Sequence, residues 1–292
     1  MLPRESEIQK SSEGLTRREF MRLGALGLTS VAFLGAAQPQ EDDLYEIVQQ
    51  TVKIKNLPLE FDGFSIGMVS DVHSGKFMSK EDMADYVTAV NAMKTDTIML
   101  PGDFVTSKIE EVYPFVETFA QLKAPYGVYA CLGNHDYYAG ADTVSKEVVD
   151  CGISLLRDEA VTIKKGSAAI TVAGVEDVGW NKEPRKNLER ALKQRPDGST
   201  AILLCHKPYY LDLAAEHHVD LMLSGHTHGG QFVFSRIGGL VIAPATLFSK
   251  YVAGLYQKES SQLYVTRGIG TVGVPFRFNC PPEITKIILR AA

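Results

Sequence analysis

Short apolar runs alternate with amphipathic segments over most of the chain. Uninterrupted apolar runs of this length are typical of strands buried in a parallel sheet, and the segments between them have the spacing of helices. Strands are predicted at residues 64–69, 97–100, 127–132, 161–164, 169–175, 201–205 and 220–224. Helices are predicted at about residues 79–93, 111–122, 141–151 and 184–194. The pattern predicts one α/β domain with added antiparallel β structure.

Local signals support the bounds of two of these elements. Ser79 and Asp82 have the spacing of a capping box, which predicts that a helix begins there. Residues 165–167 contain a glycine between two predicted strands, which indicates a β-hairpin. From about Gly239 onward the tail predicts mostly strands.

Polar side chains that can bind metals follow five of the predicted strands. They are Asp71 with His73, Asp103, Asn134 with His135, His206, and His226 with His228. In open α/β sheets the loops after the carboxyl ends of strands build the site, so we expect these side chains to converge. His226 and His228 alternate on a segment that we expect to be extended, which would direct both rings to the same side.

This set of side chains predicts a centre with two metal ions. Carboxylate, amide and imidazole ligands suit manganese, iron or zinc, and seven such ligands exceed the needs of one tetrahedral ion. Two ions that share a carboxylate typically lie about 3.5–4 Å apart and activate an in-line displacement. Two divalent ions, two carboxylates and a bridging hydroxide leave a net positive charge, which favours a phosphate substrate.

The N-terminal residues have the features of an export signal. Arg17 and Arg18 form a twin-arginine motif, an uncharged run follows at residues 23–37, and small residues end it. The predicted division is a signal peptide or anchor at residues 1–37, a linker at 38–50 and one catalytic domain at 51–292. We expect the twin-arginine translocation machinery to export the protein to the periplasm or cell envelope. An uncleaved anchor stays open as an alternative, although a membrane span needs about 20 apolar residues.

Composition excludes several classes of protein. The 292 residues are 45% hydrophobic and 22% charged, as in ordinary globular proteins. The formal net charge is −5 and no basic stripe is present, so we expect no nucleic-acid partner. The four cysteines form no CxxC pair and are interpreted as buried thiols, since free cysteine packs as a small apolar side chain.

The order of the motifs resembles that of the calcineurin-like metallophosphoesterase superfamily. The chain carries DVH at 71–73, PGD at 101–103, GNHD at 133–136, an isolated His206 and GHTH at 225–228. The segments at 225–231 and 267–284 are similar to a signal-bearing or membrane-associated branch of that superfamily. The resemblance implies an αββα fold, in which two mixed β-sheets pack as a sandwich flanked by helices.

The resemblance also implies a role for each motif residue. The first ion is expected on Asp71, His73 and His228, the second on Asn134, His206 and His226, with Asp103 bridging both. His135 is expected to face the phosphate, as a charge stabiliser or as the acid that protonates the leaving oxygen. Asp136 is expected to orient His135. From their residue type alone, Arg267 and Arg277 are further candidates for binding the substrate phosphate.

The function implied is hydrolysis of a phosphoester or pyrophosphate bond by a hydroxide that bridges the two ions. The substrate is expected to be a phosphate-bearing small molecule, a nucleotide-lipid or a cell-wall component. Within the branch, the alternative is a UDP-2,3-diacylglucosamine pyrophosphatase-type hydrolase of lipid A synthesis. Two non-enzymatic alternatives are a metal-bearing binding scaffold, which would not need the complete set of ligands and His135, and a membrane-tethered binding module.

Overall fold

The structure is a computed structural model that describes residues 45–177, 179, 183–237, 240–247 and 249–292. The signal peptide or anchor predicted at residues 1–37 lies outside the described residues, as does most of the predicted linker. Within the described part of the chain, no helix combines the length and the apolar character needed to cross a membrane.

The first sheet has six strands. In spatial order they are β1 (Glu46–Ile54), β14 (Glu283–Ala291), β2 (Ser65–Met68), β3 (Thr97–Pro101), β4 (Val128–Cys131) and β5 (Ser154–Leu155). The strands from β2 to β5 are parallel, whereas β14 pairs antiparallel with β2 and β1 pairs parallel with β14. The first residues of β1 therefore lie at the same edge of the sheet as the carboxyl end of β2, with β14 between the two strands.

The second sheet also has six strands. In spatial order they are β12 (Gly254–Lys258), β13 (Ser261–Val265), β9 (Leu221–Ser224), β8 (Ala201–Leu204), β7 (Ala168–Gly174) and β6 (Glu159–Lys165). The four central strands are parallel, and the two edge strands are antiparallel to their neighbours. A separate hairpin joins β10 (Ser235–Ile237) to β11 (Leu240–Ile242).

The helices cover the outer faces of both sheets. They are α1 (Lys80–Ala92), α2 (Val112–Phe119), α3 (Asn134–Ala139), α4 (Ala141–Asp150), α5 (Pro184–Leu192) and α6 (Leu211–Glu216). Short 3-10 helices occupy Leu59–Phe61, Ile109–Glu111, Pro208–Tyr210, His228–Gly230 and Pro244–Leu247. Between the sheets, Ile66 and Met68 of one belong to the same buried apolar cluster as Ile202 and Leu204 of the other. The αββα fold predicted from the resemblance is confirmed.

Most of the predicted elements are present, with shifts at their ends. Ser79 caps α1 through a capping box with Asp82, and β6 and β7 form the predicted hairpin. All four cysteines are free thiols, three of them buried and Cys151 half-buried. The linker prediction was wrong for residues 46–50, because they belong to β1 and pair with β14. None of these five residues is buried and only Ile47 and Val48 are apolar, so the segment lacks the apolar run that predicted the other strands.

The sheets bring the carboxyl ends of five strands to one side of the sandwich. These ends belong to β2, β3 and β4 of the first sheet and to β8 and β9 of the second, and we call this side the carboxyl edge. Direct contacts join the sheets there, since the N–H of His226 donates to Asp71 and the ring of His206 meets the carbonyl of Pro101. The predicted convergence of strand ends is therefore observed.

Candidate metal centre at the carboxyl edge

A first group of ligand atoms comes from Asp71, His73 and His228. One ligand atom from each lies within 4.8 Å of the others, and all three residues are buried. The Nε2 atoms of His73 and His228 are 3.1 Å apart, and His228 Nε2 is 3.6 Å from Asp71 Oδ1. Two imidazole nitrogens and a carboxylate oxygen that face one point are a donor set suited to a transition-metal cation.

A second group comes from Asp103, His206 and His226, again with ligand atoms within 4.8 Å of one another. His206 Nε2 lies 3.0 Å from Asp103 Oδ2, and His73 Nε2 of the first group lies 3.6 Å from that same oxygen. A single carboxylate oxygen therefore faces both groups. His206 Nδ1 lies 2.8 Å from the carbonyl oxygen of Pro101 and donates its hydrogen there, so Nε2 is the nitrogen that faces Asp103 and is available to a cation.

Several buried polar atoms at this edge have no hydrogen-bond partner among the described residues. They include Asp71 Oδ2, His73 Nδ1 and Asn134 Oδ1. A buried acceptor without a partner costs about 1–3 kcal/mol, so such atoms usually have a ligand. Orphaned oxygens beside converging imidazoles fit bound cations, and Asn134 lies at the amino end of α3, directly after Gly133.

The electrostatics favour three neutral rings and one charged ring around a charged carboxylate: burial alone would lower the pKa of His206, but Asp103 outweighs burial and raises that pKa to about 10. Burial lowers the pKa of His73 and of His226 to about 3, and lowers the pKa of His228 well below its ordinary value. Burial alone would raise the pKa of Asp103, but the neighbouring rings, His206 above all, bring it below its ordinary value. Metal binding requires neutral imidazoles and an ionised carboxylate, so the three neutral rings and Asp103 already have the required states, and His206 would lose a proton when a cation binds.

The backbone is strained at most of the candidate ligands. Positive φ angles occur at Asp71 (51°), His73 (50°), Asp103 (56°), His226 (74°) and His228 (52°). Non-glycine residues in this region cost of order 1–3 kcal/mol each, and such strain concentrates at functional sites. The expectation that residues 226–228 are extended was wrong, because these φ angles turn the chain and place the two rings in different groups.

Two glycines are required by close approach to the carboxylates. A Cβ on Gly133 would lie 2.2 Å from Asp103 Oδ1, and one on Gly225 would lie 2.1 Å from Asp71 Oδ2. Both glycines belong to the motifs GNHD and GHTH, so their presence in the sequence has a steric reason. No larger residue fits at either position without displacing a candidate ligand.

His135 adjoins the first group, but Asp136 does not orient it. The ring of His135 packs edge-on against His73 with centroids 4.6 Å apart, and its Nδ1 bonds the carbonyl oxygen of Thr106. Asp136 is fully buried and accepts backbone N–H groups from Gly133 at 2.8 Å and Asp103 at 2.9 Å. The orienting role predicted for Asp136 was therefore wrong: its carboxylate holds the two loops that carry Asn134 and Asp103.

Arg267 and Arg277 lie near the centre but are bound to internal partners. Arg267 is 8% exposed; its Nε donates to Glu283 at 2.6 Å and its Nη2 to Glu46 at 2.7 Å. Arg277 is also buried and donates to the carbonyl oxygens of Arg267 at 2.8 Å and His228 at 3.2 Å. The geometry does not support the phosphate-binding role predicted for them, and we assign both to holding the loop that carries His228.

A stability measurement tests this structural role for Arg267. Arg267→Ala should lower the free energy of unfolding by about 3–5 kcal/mol, because it removes the positive charge that pairs with the buried carboxylate of Glu283. Arg290→Ala is the matched control, since its pair with Asp62 is exposed and such pairs contribute about 0–1 kcal/mol. Urea unfolding of both variants makes the comparison. Equal losses of stability would contradict the assignment.

Two further residues at the carboxyl edge were not predicted from the sequence. The carbonyl oxygen of Thr106 binds His135, but a backbone acceptor leaves no signature in the sequence. Lys207 is buried directly after His206, with its Nζ 2.9 Å from Asp177 Oδ2. Its position beside an isolated histidine at a strand end was a usable signal.

The fold and these groups define a metal-dependent phosphoester hydrolase of the αββα class, and comparisons agree. The family model for "Calcineurin-like phosphoesterase" matches residues 64–230, which is more than half of the chain. The chain belongs to the calcineurin-like phosphoesterase family. The match includes every motif from Asp71 to His228.

Two bacterial relatives are similar to the chain over nearly its whole length. The "Uncharacterized metallophosphoesterase YkuE" of Bacillus subtilis is 30% identical over 288 residues, covering 95% of this chain and 98% of that protein. "Phosphodiesterase YaeI" of Escherichia coli is 27% identical over 94% of this chain and 99% of its own length. The crystal structure of TT1561 of Thermus thermophilus has a TM-score of 0.50 at 15% identity, covers 70% of this chain and 90% of TT1561, and supports the fold alone.

Proposed function

We propose that the chain is a dinuclear phosphoesterase in which Asp103 is the ligand shared by two ions. The observation that carries this proposal is the position of Asp103 Oδ2, 3.0 Å from His206 Nε2 and 3.6 Å from His73 Nε2. Asp71, His73 and His228 would hold one ion, and Asn134, His206 and His226 the other. When bound, two divalent cations of manganese, iron or zinc would supply positive charge and activation of water.

The protein's own residues position the substrate and move the proton. Because Thr106 binds Nδ1 of His135, the Nε2 of this ring is the nitrogen left for the substrate. A protonated His135 would stabilise charge on the phosphoryl oxygens and then donate its Nε2 proton to the leaving oxygen. Asp136 acts indirectly, since its carboxylate fixes the backbone of Asp103 and Gly133.

A phosphodiester is the substrate class that we favour, since the Escherichia coli relative carries the name phosphodiesterase. The test is hydrolysis of bis(p-nitrophenyl) phosphate by the full chain loaded with Mn²⁺, compared with p-nitrophenyl phosphate. We expect faster release of nitrophenolate from the diester, its loss with a chelator and its recovery with added Mn²⁺. Absence of metal-dependent release from both esters would contradict the proposed function. The lipid A pyrophosphatase alternative gains no support from the comparisons.

Export by the twin-arginine route is a further prediction, carried by the sequence of the N-terminal residues. Replacing Arg17 and Arg18 together by lysine should leave the protein in the cytoplasm, because lysine does not substitute for the motif. Fractionation of cells that express the wild-type and the double variant measures this. Equal export of the two proteins would contradict the prediction.

A further inference from the structure

Beyond His228 the chain forms a small lobe against the carboxyl edge. We define the apolar lobe as residues 231–237, 240–247 and 272–280, which include the β10–β11 hairpin. It has its own small core, in which Val233, Ala243 and Cys280 pack with Val252. Backbone hydrogen bonds tie its two parts together, from Phe278 N to Gln231 O and from Val233 N to Phe278 O, each 2.9 Å long. The lobe is therefore fixed to the loop that carries a candidate ligand.

Large apolar side chains project from this lobe into solvent. Their exposed fractions are 68% for Phe234, 41% for Ile242, 81% for Leu247, 45% for Val274 and 38% for Phe278. Scattered apolar residues on a surface need no explanation, but a concentration of them in one small lobe marks a site of contact. The position of the lobe beside His228 places that contact next to the metal centre.

The chain also enters the domain at this edge. Glu46, the first residue of β1, pairs with Glu283 in the sheet, and its carboxylate accepts a hydrogen bond from Arg267 at 2.7 Å. The side chain of Arg267 packs against Gly229, the neighbour of His228. Arg267 therefore connects the amino end of the described domain, at Glu46, to the loop that carries His228.

The sequence before Tyr45 indicates which kind of surface the carboxyl edge faces. The uncharged run at residues 23–37 ends eight residues before Tyr45. At about 3.5 Å per residue, that stretch of chain spans at most about 28 Å. A bilayer that takes up the run at residues 23–37 would therefore lie within reach of the carboxyl edge and of the apolar lobe.

We propose that the carboxyl edge docks on a lipid bilayer through the apolar lobe, and that the site acts on phosphoesters held at the lipid surface. The second part rests on the proposed function, whereas the first does not. Phe234 and Leu247 would insert among the lipid headgroups and acyl chains, as apolar side chains of peripheral proteins do. The candidate ligands would then face the plane in which lipid phosphates lie.

Site-specific quenching tests the docking. Leu247→Trp in the full chain is mixed with phosphatidylcholine–phosphatidylglycerol vesicles that carry brominated acyl chains. Leu59→Trp is the matched control, because Leu59 is 80% exposed and lies before β2, at the opposite edge. Relative to wild type, with its single native tryptophan, we expect added quenching at position 247 and none at 59. Equal quenching at both positions, or burial of the introduced indole at position 247 by self-association without vesicles, would overturn the docking.

A pair of esters with one leaving group tests the substrate class. In phosphatidyl-p-nitrophenol in vesicles and in soluble bis(p-nitrophenyl) phosphate, water adds to phosphorus, the P–O bond to nitrophenol breaks and nitrophenolate leaves. Leu247→Glu loses the free energy gained by burying a leucine side chain in the bilayer, so this variant should bind vesicles more weakly and hydrolyse the lipid ester about ten-fold more slowly. Phe234→Glu should behave likewise, and Leu59→Glu should not. The soluble ester should be hydrolysed at the wild-type rate by all three.

The two parts fail in different ways. If the lobe variants hydrolyse the lipid ester as fast as wild type does, the assigned substrate class is wrong. If wild type hydrolyses neither ester, the proposed function fails, and the quenching experiment still decides whether the edge docks on lipid.

Discussion

Replacing Asp103 by asparagine is expected to lower metal-dependent turnover by more than about 10⁴-fold, beyond the range for loss of an acid–base group. The change removes the negative charge from the oxygen that faces both ligand groups. Without it, the cations lose the ligand that links them, and binding of both should weaken. Asparagine also tolerates the positive φ of 56° at this position, so the fold should persist.

The measurement is metal content by elemental analysis, taken beside turnover on bis(p-nitrophenyl) phosphate. Asp85→Asn is the matched control, because Asp85 is exposed on α1, away from the centre. We expect the control to keep full activity and full metal content. A variant Asp103→Asn that kept both ions and its activity would show that Asp103 is not the shared ligand.

His135→Ala is expected to lower turnover by about 10²–10⁴-fold, the usual contribution of a general acid or charge stabiliser. Both ions and the folded state should remain, because the rings of the first group, His73 and His228, stay in place. The result distinguishes two roles, since His135 also lies within ligand distance of His73 and Asp103. If His135 is a proton donor, metal content is unchanged; if it is a ligand, metal content falls.

The pH profile adds a second readout for His135. Loss of a general acid should abolish the fall of turnover on one side of the pH profile. Loss of a metal ligand should instead lower turnover by the same factor at every pH. His218→Ala is the control, since His218 is exposed and lies between α6 and β9, away from the carboxyl edge. Full activity of His135→Ala on the diester, or loss of its metals, would contradict the assigned role.

The convergence of the motif residues was predictable because it follows from one rule of sheet geometry. Parallel strands end at the same edge, so Asp71, Asp103 and Asn134 had to meet once their strands were identified. We applied the same rule to His206, but it belongs to a second sheet, and a rule about the strands of one sheet does not state how two sheets pack. Its meeting with the first three residues depends on that packing, which the resemblance implied.

The roles of Asp136, Arg267 and Arg277 could not be predicted from the sequence. Each depends on a partner distant in the chain: Asp136 accepts N–H groups near Asp103, and Arg267 binds Glu46 from the first strand. Such contacts exist only in the tertiary structure. The sequence alone does not distinguish an arginine that is buried between two carboxylates from an exposed arginine that binds phosphate.

The turned backbone at the histidines of GHTH was also beyond the sequence. Alternation in an extended segment is the simplest expectation for His226 and His228, but it requires negative φ angles. Contacts to Asp71 and to Arg277 hold the strained conformation instead, and these residues belong to other parts of the fold. The composition of the site could therefore be predicted, and its local geometry could not.

The central claim, two cations linked by Asp103, is tested most directly by electron paramagnetic resonance of the manganese-loaded full chain together with its metal content. We predict close to two manganese ions per chain and a spectrum with exchange coupling between them, both lost in Asp103→Asn. One manganese ion per chain at full activity, with the six-line spectrum of an isolated Mn²⁺, would contradict the account.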